Sequence, residues 1–189
     1  MSRKKFSRCT PFFILLAVAA LSTPPAAAAE TAAPTIVPCN VTAYVIDTDP
    51  KGLNVREGPG DQYRVVTTLP TKQDVEVTII GSMGQWMQIG QAYIFADNGN
   101  TEDVTLNLSG WVWGPLLGLR TRATGVYPDL SCPLYRDPDS SSPVVLKLPD
   151  EVELPIEGCR GEWVKVNYKG TEGWLGPDSH CGNPVTTCV

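Results

Sequence analysis

The sequence predicts an all-β chain that contains two copies of one small β unit, and three observations support this. Pro, Gly, Ser and Thr interrupt the chain every few residues, and apolar residues do not recur with a helical period. Short segments alternate apolar and polar residues, as in the stretch where Val164, Val166 and Tyr168 share one face of a strand. The same order of apolar residues then occurs twice along the chain, which indicates an internal duplication.

Residues 1–29 are predicted to be a cleaved signal peptide. Four basic residues precede a short apolar run, Pro11 to Leu21, and Ala27 to Ala29 supply the small residues of a cleavage site. The run is about half as long as a helix that spans a bilayer. We therefore expect a secreted or periplasmic protein without a membrane span.

The charge of the remaining chain argues against nucleic acid as a partner. Without residues 1–29 the chain has 11 basic and 20 acidic residues, a net charge of −9, and no basic cluster. Such a chain repels phosphate backbones.

The repeat can be aligned residue by residue. VREGPGDQYRVVTTLP, which begins at Val55, aligns without a gap with LYRDPDSSSPVVLKLP, which begins at Leu134. Later in each copy a Gly-x-Trp segment contains Trp86 or Trp163, and a Gly-Trp pair contains Trp111 or Trp174. We expect Lys169-Gly170 to form the tight turn between the last two strands of the second copy.

The first copy contains an insertion between its two matched tryptophans. Trp86 and Trp111 are 25 positions apart, whereas Trp163 and Trp174 are 11 apart, so about 14 residues are added at about 91–107. Residues 92–96 predict additional strand and residues 97–100 a turn. Two interpretations remain open: an elongated hairpin, or a recognition loop that presents Tyr93 and Phe95.

The segment LNVREGPG, Leu53 to Gly60, resembles the opening motif of bacterial SH3 domains. The Val-Val…Leu-Pro, Gly-x-Trp and Gly-Trp segments that follow are also similar to that family, although the second copy lacks the Asn and Gly of the motif. The resemblance implies two small, partly open SH3-like β-barrels in tandem. The expected domains are a linker at 30–38, barrel one at 39–118, a linker at 119–124, barrel two at 125–178 and a Cys-containing tail at 179–189. Arg56 is placed to hydrogen-bond the loop that follows it.

The resemblance also implies function, because members of this family are mostly exported binding modules. We expect a non-catalytic module that recognises peptidoglycan peptides or a segment of a partner protein in shallow aromatic grooves, and that needs no cofactor. The alternative is a structural or regulatory exported protein that has no cell-wall ligand. The oligomeric state is left open.

Seven aromatic residues are candidates for ligand binding. Strand alternation places Met87 and Ile89 inward, so Trp86 faces outward, and Trp163 does so in the second copy. Trp111 and Trp174 are expected mainly to pack within the barrels. Trp113 has Gly176 as its counterpart and is the better candidate for an exposed aromatic. The full set is Tyr63, Trp86, Tyr93, Trp111, Trp113, Trp163 and Trp174.

We predict neither a catalytic residue nor a metal site. His180 is the single histidine, and it lies in a Gly-, Pro- and Cys-rich tail rather than beside a nucleophile and an orienting acid. The cysteines lack the Cys-x-x-Cys spacing that is typical of zinc sites.

Five cysteines follow the signal segment, namely Cys39, Cys132, Cys159, Cys181 and Cys188. Export makes disulfides plausible, and an odd number leaves one thiol free or available for an interchain disulfide. A bridge from Cys159 to Cys181 or Cys188 is favoured over a Cys181–Cys188 loop. A Cys39–Cys132 bridge also remains open.

Overall fold

The computed structural model describes residues 35–96, 102–124 and 130–186. The predicted signal peptide, the predicted turn at 97–100 and Cys188 lie outside these ranges. Within them the chain forms short strands and two single-turn 3-10 helices, η1 (Gly114–Leu116) and η2 (Pro177–Ser179). The strands are β1 (Val37–Val45), β2 (Leu53–Arg56), β3 (Val65–Leu69), β4 (Val75–Met83), β5 (Trp86–Ile94), β6 (Val104–Trp113), β7 (Leu117–Thr121), β8 (Cys132–Tyr135), β9 (Val144–Leu148), β10 (Glu153–Pro155), β11 (Gly158–Arg160), β12 (Trp163–Tyr168), β13 (Thr171–Leu175) and β14 (His180–Cys181).

The strands form two curled sheets. The larger has the order β10-β7-β1-β4-β5-β6-β2-β3, with β14 also paired to β7, and the smaller has the order β11-β12-β13-β8-β9. Each pairing between these strands is antiparallel. This architecture confirms the predicted all-β fold class.

The two copies place matched residues in the same surroundings. Val55 in β2 and Leu134 in β8 are both fully buried, and each precedes a break in register with the next strand, β3 or β9. Arg56 pairs with Trp111 in the first copy, and Tyr135 pairs with Trp174 in the second. The predicted duplication is therefore present in three dimensions. We call residues 37–121 repeat one and residues 117–181 repeat two.

Strand β7 belongs to both repeats. It pairs with β1 to close repeat one, and it pairs with β10 and β14 as the first strand of repeat two. Arg120 of β7 faces Glu153 of β10 just as Tyr44 of β1 faces Glu76 of β4. Residues 119–121, expected in a linker, thus lie in a strand, and β14 brings residues 180–181 of the expected tail into the sheet.

The core follows the alternation that the sequence shows. Met87, Ile89, Val164 and Val166 are fully buried, as predicted, and they belong to one hydrophobic cluster that extends through both repeats. Trp86 and Trp163, on the opposite faces of β5 and β12, are only partly buried. Alternation therefore separates the core face of each strand from the face on which a site can form.

The turns that precede β5 and β12 are also equivalent. Gly84 and Gly161 both have a positive φ, 59° and 57°, which residues other than glycine rarely adopt. At Lys169-Gly170 both residues have positive φ, and Tyr168 pairs with Thr171 across a two-residue turn, as predicted.

The disulfide pattern differs from the bridge that the sequence favoured for Cys159 and from the Cys39–Cys132 bridge that it left open. Cys159 is bonded to Cys39, with the Cα atoms 5.8 Å apart, and Cys132 is a free, buried thiol. The predicted bridge from Cys159 to Cys181 or Cys188 is therefore wrong, as is the Cys39–Cys132 bridge. The reason is that Gly161 pairs with β1 through its backbone, which brings β11 and β1 together. Cys181 is itself disulfide-bonded.

No helix among the described residues has both the length and the apolar character that a membrane crossing requires.

Candidate binding groove

A groove of about 730 Å³ opens on the outer face of repeat one. It lies between the segment 47–54, the turn 59–62 and the side chains of Trp86 and Trp113. Arg56 and Leu116 complete its walls. The groove therefore forms around the motif Leu53 to Gly60 on which the family resemblance rests.

Two indoles form the aromatic side of the groove. Trp86 of β5 pairs directly with Trp113 of β6, and their ring centroids are 5.3 Å apart in an edge-to-face arrangement. Their neighbours Met87 and Val112 point into the core and are fully buried. Both tryptophans remain partly exposed, so they offer a rigid surface on which an apolar or cationic group can pack.

Arg56 holds the turn that borders the groove. Its Nη1 donates hydrogen bonds to the carbonyl oxygens of Asp61 and Tyr63, at 3.0 and 2.8 Å, and its Nη2 lies 3.4 Å from the Asp61 carboxylate. The Arg56 side chain is only 18% exposed. The expected hydrogen bonding of Arg56 to the following loop is therefore confirmed, and its main effect is to fix the shape of the groove.

The groove lining also contains two carboxylates that sequence reasoning missed, those of Asp47 and Asp49. Asp47 Oδ1 accepts a hydrogen bond from the backbone N–H of Asp49 at 3.0 Å, and Asp49 Oδ1 accepts one from the N–H of Lys51 at 2.9 Å. These bonds fix the loop between β1 and β2. The sequence signal for this loop was the stretch Asp47-Thr48-Asp49-Pro50, which is typical of a turn and shortly precedes the motif.

Three other aromatic candidates of repeat one lie outside the groove walls. Tyr63 is 40% exposed, and its ring covers Gly58, where a Cβ would lie 2.5 Å from the ring. Trp111 is only 5% exposed and packs within the protein. Tyr93 donates a hydrogen bond to the Asp103 carboxylate, which raises the pKa of Tyr93, and its ring contacts Phe95.

Tyr93 and Phe95 belong to the insertion of repeat one, where β5 and β6 continue as a paired ladder to Ile94 and Val104. The additional strand predicted for residues 92–96 is thus present to Ile94. Asp103 also accepts the N–H of Ala96, so the end of this hairpin is held by its own contacts.

Repeat two presents a different surface at the equivalent place. Trp163 packs edge to face on Tyr135, with centroids 5.5 Å apart, and Tyr135 occupies the position that Arg56 has in repeat one. Gly176 stands where Trp113 would be, and a Cβ there would lie 3.4 Å from the Trp163 ring. Trp174 is partly buried on β13. An indole pair like that of repeat one therefore cannot form here.

The single histidine is held in a structural contact. His180 Nε2 lies 3.0 Å from the carbonyl oxygen of Glu162, and burial lowers the pKa of His180. Because the carbonyl only accepts, a neutral ring donates through Nε2. The contact joins β14 to the turn before β12.

The fold and the surface of repeat one define a protein of duplicated small β-barrels, one of which carries an open aromatic groove. The family model of the bacterial SH3 domain matches residues 51–117 and 133–180. These segments make up more than half of the chain, which therefore belongs to the bacterial SH3 domain family. Membership suggests a binding module.

Similarity to individual proteins is low. NlpC1 from Trichomonas vaginalis is 18% identical, with a TM-score of 0.31, and the match covers 80% of this chain and 48% of that one. NlpC2 from the same organism is 16% identical, with a TM-score of 0.31, and the match covers 74% and 47%. The chain spans about half the length of these two proteins. No curated protein sequence matches it.

Proposed function

We propose that this chain is an exported, non-catalytic binding module that recognises peptide segments of peptidoglycan in the groove of repeat one. The observation that carries the proposal is the partly exposed Trp86–Trp113 pair beside a groove of about 730 Å³. This volume is in the range of small-molecule and short-peptide sites, about 300–1,000 Å³.

The composition of the groove suits a peptide. Stacking on the indoles supplies affinity, while the carboxylates and the amide of Asn54 can orient polar groups of a ligand. Arg56 is already bonded to the turn, so the groove is formed before the ligand arrives and little ordering is needed on binding.

The predicted signal peptide and the Cys39–Cys159 disulfide both support a place outside the cytoplasm, where disulfides persist. Peptidoglycan is an abundant peptide-bearing polymer in that compartment. The family resemblance favours the same ligand class.

Sedimentation with purified, insoluble peptidoglycan tests the proposal, with sacculi that contain either diaminopimelate or lysine. We expect the wild-type protein to be retained on at least one of them. Trp113→Ala should reduce retention strongly, because it removes half of the indole pair. Tyr93→Ala is the matched control, since it removes an aromatic ring from the hairpin without touching the groove walls.

Two outcomes oppose the proposal. Wild-type protein that stays in solution with every sacculus preparation favours the alternative, an exported interaction protein without a wall ligand. An enzyme is indicated if the wild type releases soluble fragments from the sacculi and the His180→Ala variant does not.

A further inference from the structure

We infer that the groove of repeat one selects ligands that carry a primary ammonium group, which lies between the Trp86–Trp113 pair and the carboxylates of Asp47 and Asp49. The inference deepens the proposed function and rests on it in one respect, that this groove is the binding site. The ammonium group can be an amino-acid side chain or a free chain terminus, since the two have the same charge and donors.

Acidic residues dominate the charge of the groove. Asp47, Asp49 and Asp61 line it together with one cation, Arg56. Asp61 is compensated, because Arg56 Nη2 lies 3.4 Å from its carboxylate. Asp47 and Asp49 form no ion pair with any residue that the structure describes. The groove therefore has an excess of two negative charges, which attract a cation and repel an anion.

The carboxylates of Asp47 and Asp49 each have one oxygen that is bonded to their own loop. Each uses Oδ1 to accept a backbone N–H, from Asp49 and Lys51 respectively. Within residues 35–96, 102–124 and 130–186, the Oδ2 atoms of both have no hydrogen-bond partner, so they remain available as acceptors. An ammonium group has three donors and no acceptor, which fits this set of oxygens.

Arg56 does not form an anion site. Both Nη1 donors bond to backbone carbonyls, at Asp61 and Tyr63, and the Arg56 side chain is only 18% exposed. A ligand carboxylate would have to displace these bonds and to approach Asp61. Recognition of an anion at this end of the groove is thus unfavourable.

The indole pair of Trp86 and Trp113 lines the same groove as the carboxylates. Indole attracts cations to its face more strongly than the other aromatic side chains do. The ring planes of Trp86 and Trp113 are inclined at 63° to each other, so the edge of one ring meets the face of the other. A cation that contacts the carboxylates can pack its alkyl stem on the exposed indole surface.

Repeat two lacks this combination of residues. The backbone equivalents are Ala123 for Asp47, Tyr135 for Arg56, Ser140 for Asp61 and Gly176 for Trp113. Ala123 is the equivalent of Asp47 because the residues that precede them form matching backbone hydrogen bonds. The Arg122 N–H donates to the carbonyl oxygen of Ser179, as the Ile46 N–H donates to that of Leu116. Asp47 and the indole pair of repeat one therefore have no counterpart in repeat two.

Fluorescence titration of the full chain with short peptides tests this inference. The probes are acetyl-Ala-Lys-Ala-amide, which has a side-chain ammonium only, and Ala-Ala-Ala-amide, which has a terminal ammonium only. Acetylation of the free amine gives a neutral control for each. We expect at least one ammonium peptide to bind about tenfold or more tightly than its acetylated form, and the stronger of the two identifies the source.

The double variant Asp47→Asn/Asp49→Asn should remove this preference. Asparagine keeps the Oδ1 acceptor for the loop, so the groove retains its shape while two charges are lost. Glu102→Gln/Asp178→Asn changes the net charge equally on exposed residues away from the groove walls, and it should bind like the wild type.

The inference is overturned if ammonium and acetylated peptides bind with equal affinity. It is also overturned if the Asp47→Asn/Asp49→Asn variant keeps the preference for ammonium peptides. Retention on sacculi distinguishes this failure from that of the proposed function. If the wild-type protein sediments equally with native and with amine-acetylated sacculi, the proposed wall ligand stands and only the ammonium preference fails.

Discussion

Tyr135 packs edge to face on Trp163 in repeat two, and it stands on the strand position that Arg56 occupies in repeat one. One duplicated framework thus carries two different surfaces. In repeat one an arginine ties the turn back and leaves an indole pair beside a groove. In repeat two a phenol ring packs on the equivalent indole. The duplication preserves the core, whereas the outer face has diverged.

The first prediction separates binding from stability at the two equivalent tryptophans. Trp86→Ala should abolish most peptidoglycan retention, because it removes one wall of the groove. Trp163→Ala should leave retention unchanged and lower the free energy of unfolding by about 1–3 kcal/mol, since Trp163 loses its contacts with Tyr135 and Gly176. Sedimentation and urea unfolding of both variants measure the two effects. Loss of retention in Trp163→Ala would show that repeat two also binds.

The second prediction concerns the Cys39–Cys159 disulfide. It joins β1 to β11 across 120 residues of sequence, so it restricts the unfolded chain considerably. Cys39→Ala/Cys159→Ala should lower the free energy of unfolding by about 2–5 kcal/mol. Cys132→Ala is the control, because it removes a buried thiol without opening a bridge. A double variant that is as stable as the control contradicts this bond.

The third prediction uses the free thiol. Cys132 is fully buried and donates to the carbonyl oxygen of Ser179 at 3.1 Å, and burial raises its pKa to about 11 from a usual value of 9.0. Native protein at pH 8 should therefore resist iodoacetamide, and unfolded protein should take up the label at this residue. Mass spectrometry of peptides from the two samples gives the result, and rapid labelling of native protein would contradict the burial.

The same thiol predicts a dependence of stability on pH. Above pH 9 the thiol ionises in the unfolded chain while the folded protein keeps it neutral, so ionisation favours unfolding as the pH rises toward 11. From pH 9 to pH 10 the wild type should lose about 1 kcal/mol more stability than Cys132→Ala. Urea unfolding at several pH values measures the difference, and parallel curves for the two proteins would contradict it.

The fourth prediction concerns the turn between β12 and β13. Lys169 has a φ of 51° and Gly170 a φ of 87°, a combination in which asparagine is favoured at the first place. Lys169→Asn should therefore be about 0.5–1 kcal/mol more stable than Lys169→Ala, which also loses the contact of the Lys169 amine with the Tyr168 ring. Thermal unfolding measures the effect, with Lys147→Asn in β9 as a control that should not stabilise.

The sequence predicted those features of the fold that depend on local pattern. Alternation identified Met87, Ile89, Val164 and Val166 as core residues, and the gapless alignment from Val55 and Leu134 identified the duplication. The core faces follow from the side-chain period of two along a strand, and the duplication follows from the repeated order of residues. The hydrogen bonding of Arg56 to its loop could be predicted because the loop follows Arg56 directly in the sequence.

Features that depend on contacts between distant segments of the chain could not be predicted in this way. Strand β7 is shared because it pairs with both β1 and β10, and the Cys39–Cys159 bridge forms because β1 meets the turn at Gly161. The groove itself needed the position of Asp47 and Asp49, which precede the motif by several residues and approach Trp113 only after β6 has returned beside β2. Pairings of this kind join segments far apart in sequence, where local patterns carry no information.

The location of the ligand is the central claim, and an NMR titration of ¹⁵N-labelled protein with soluble peptidoglycan fragments tests it most directly. Indole N–H signals report each tryptophan separately. We predict that the signals of Trp86 and Trp113 shift in a saturable way while that of Trp163 stays in place. Equal shifts at Trp163, or shifts that spare Trp86 and Trp113, would contradict a single open groove in repeat one.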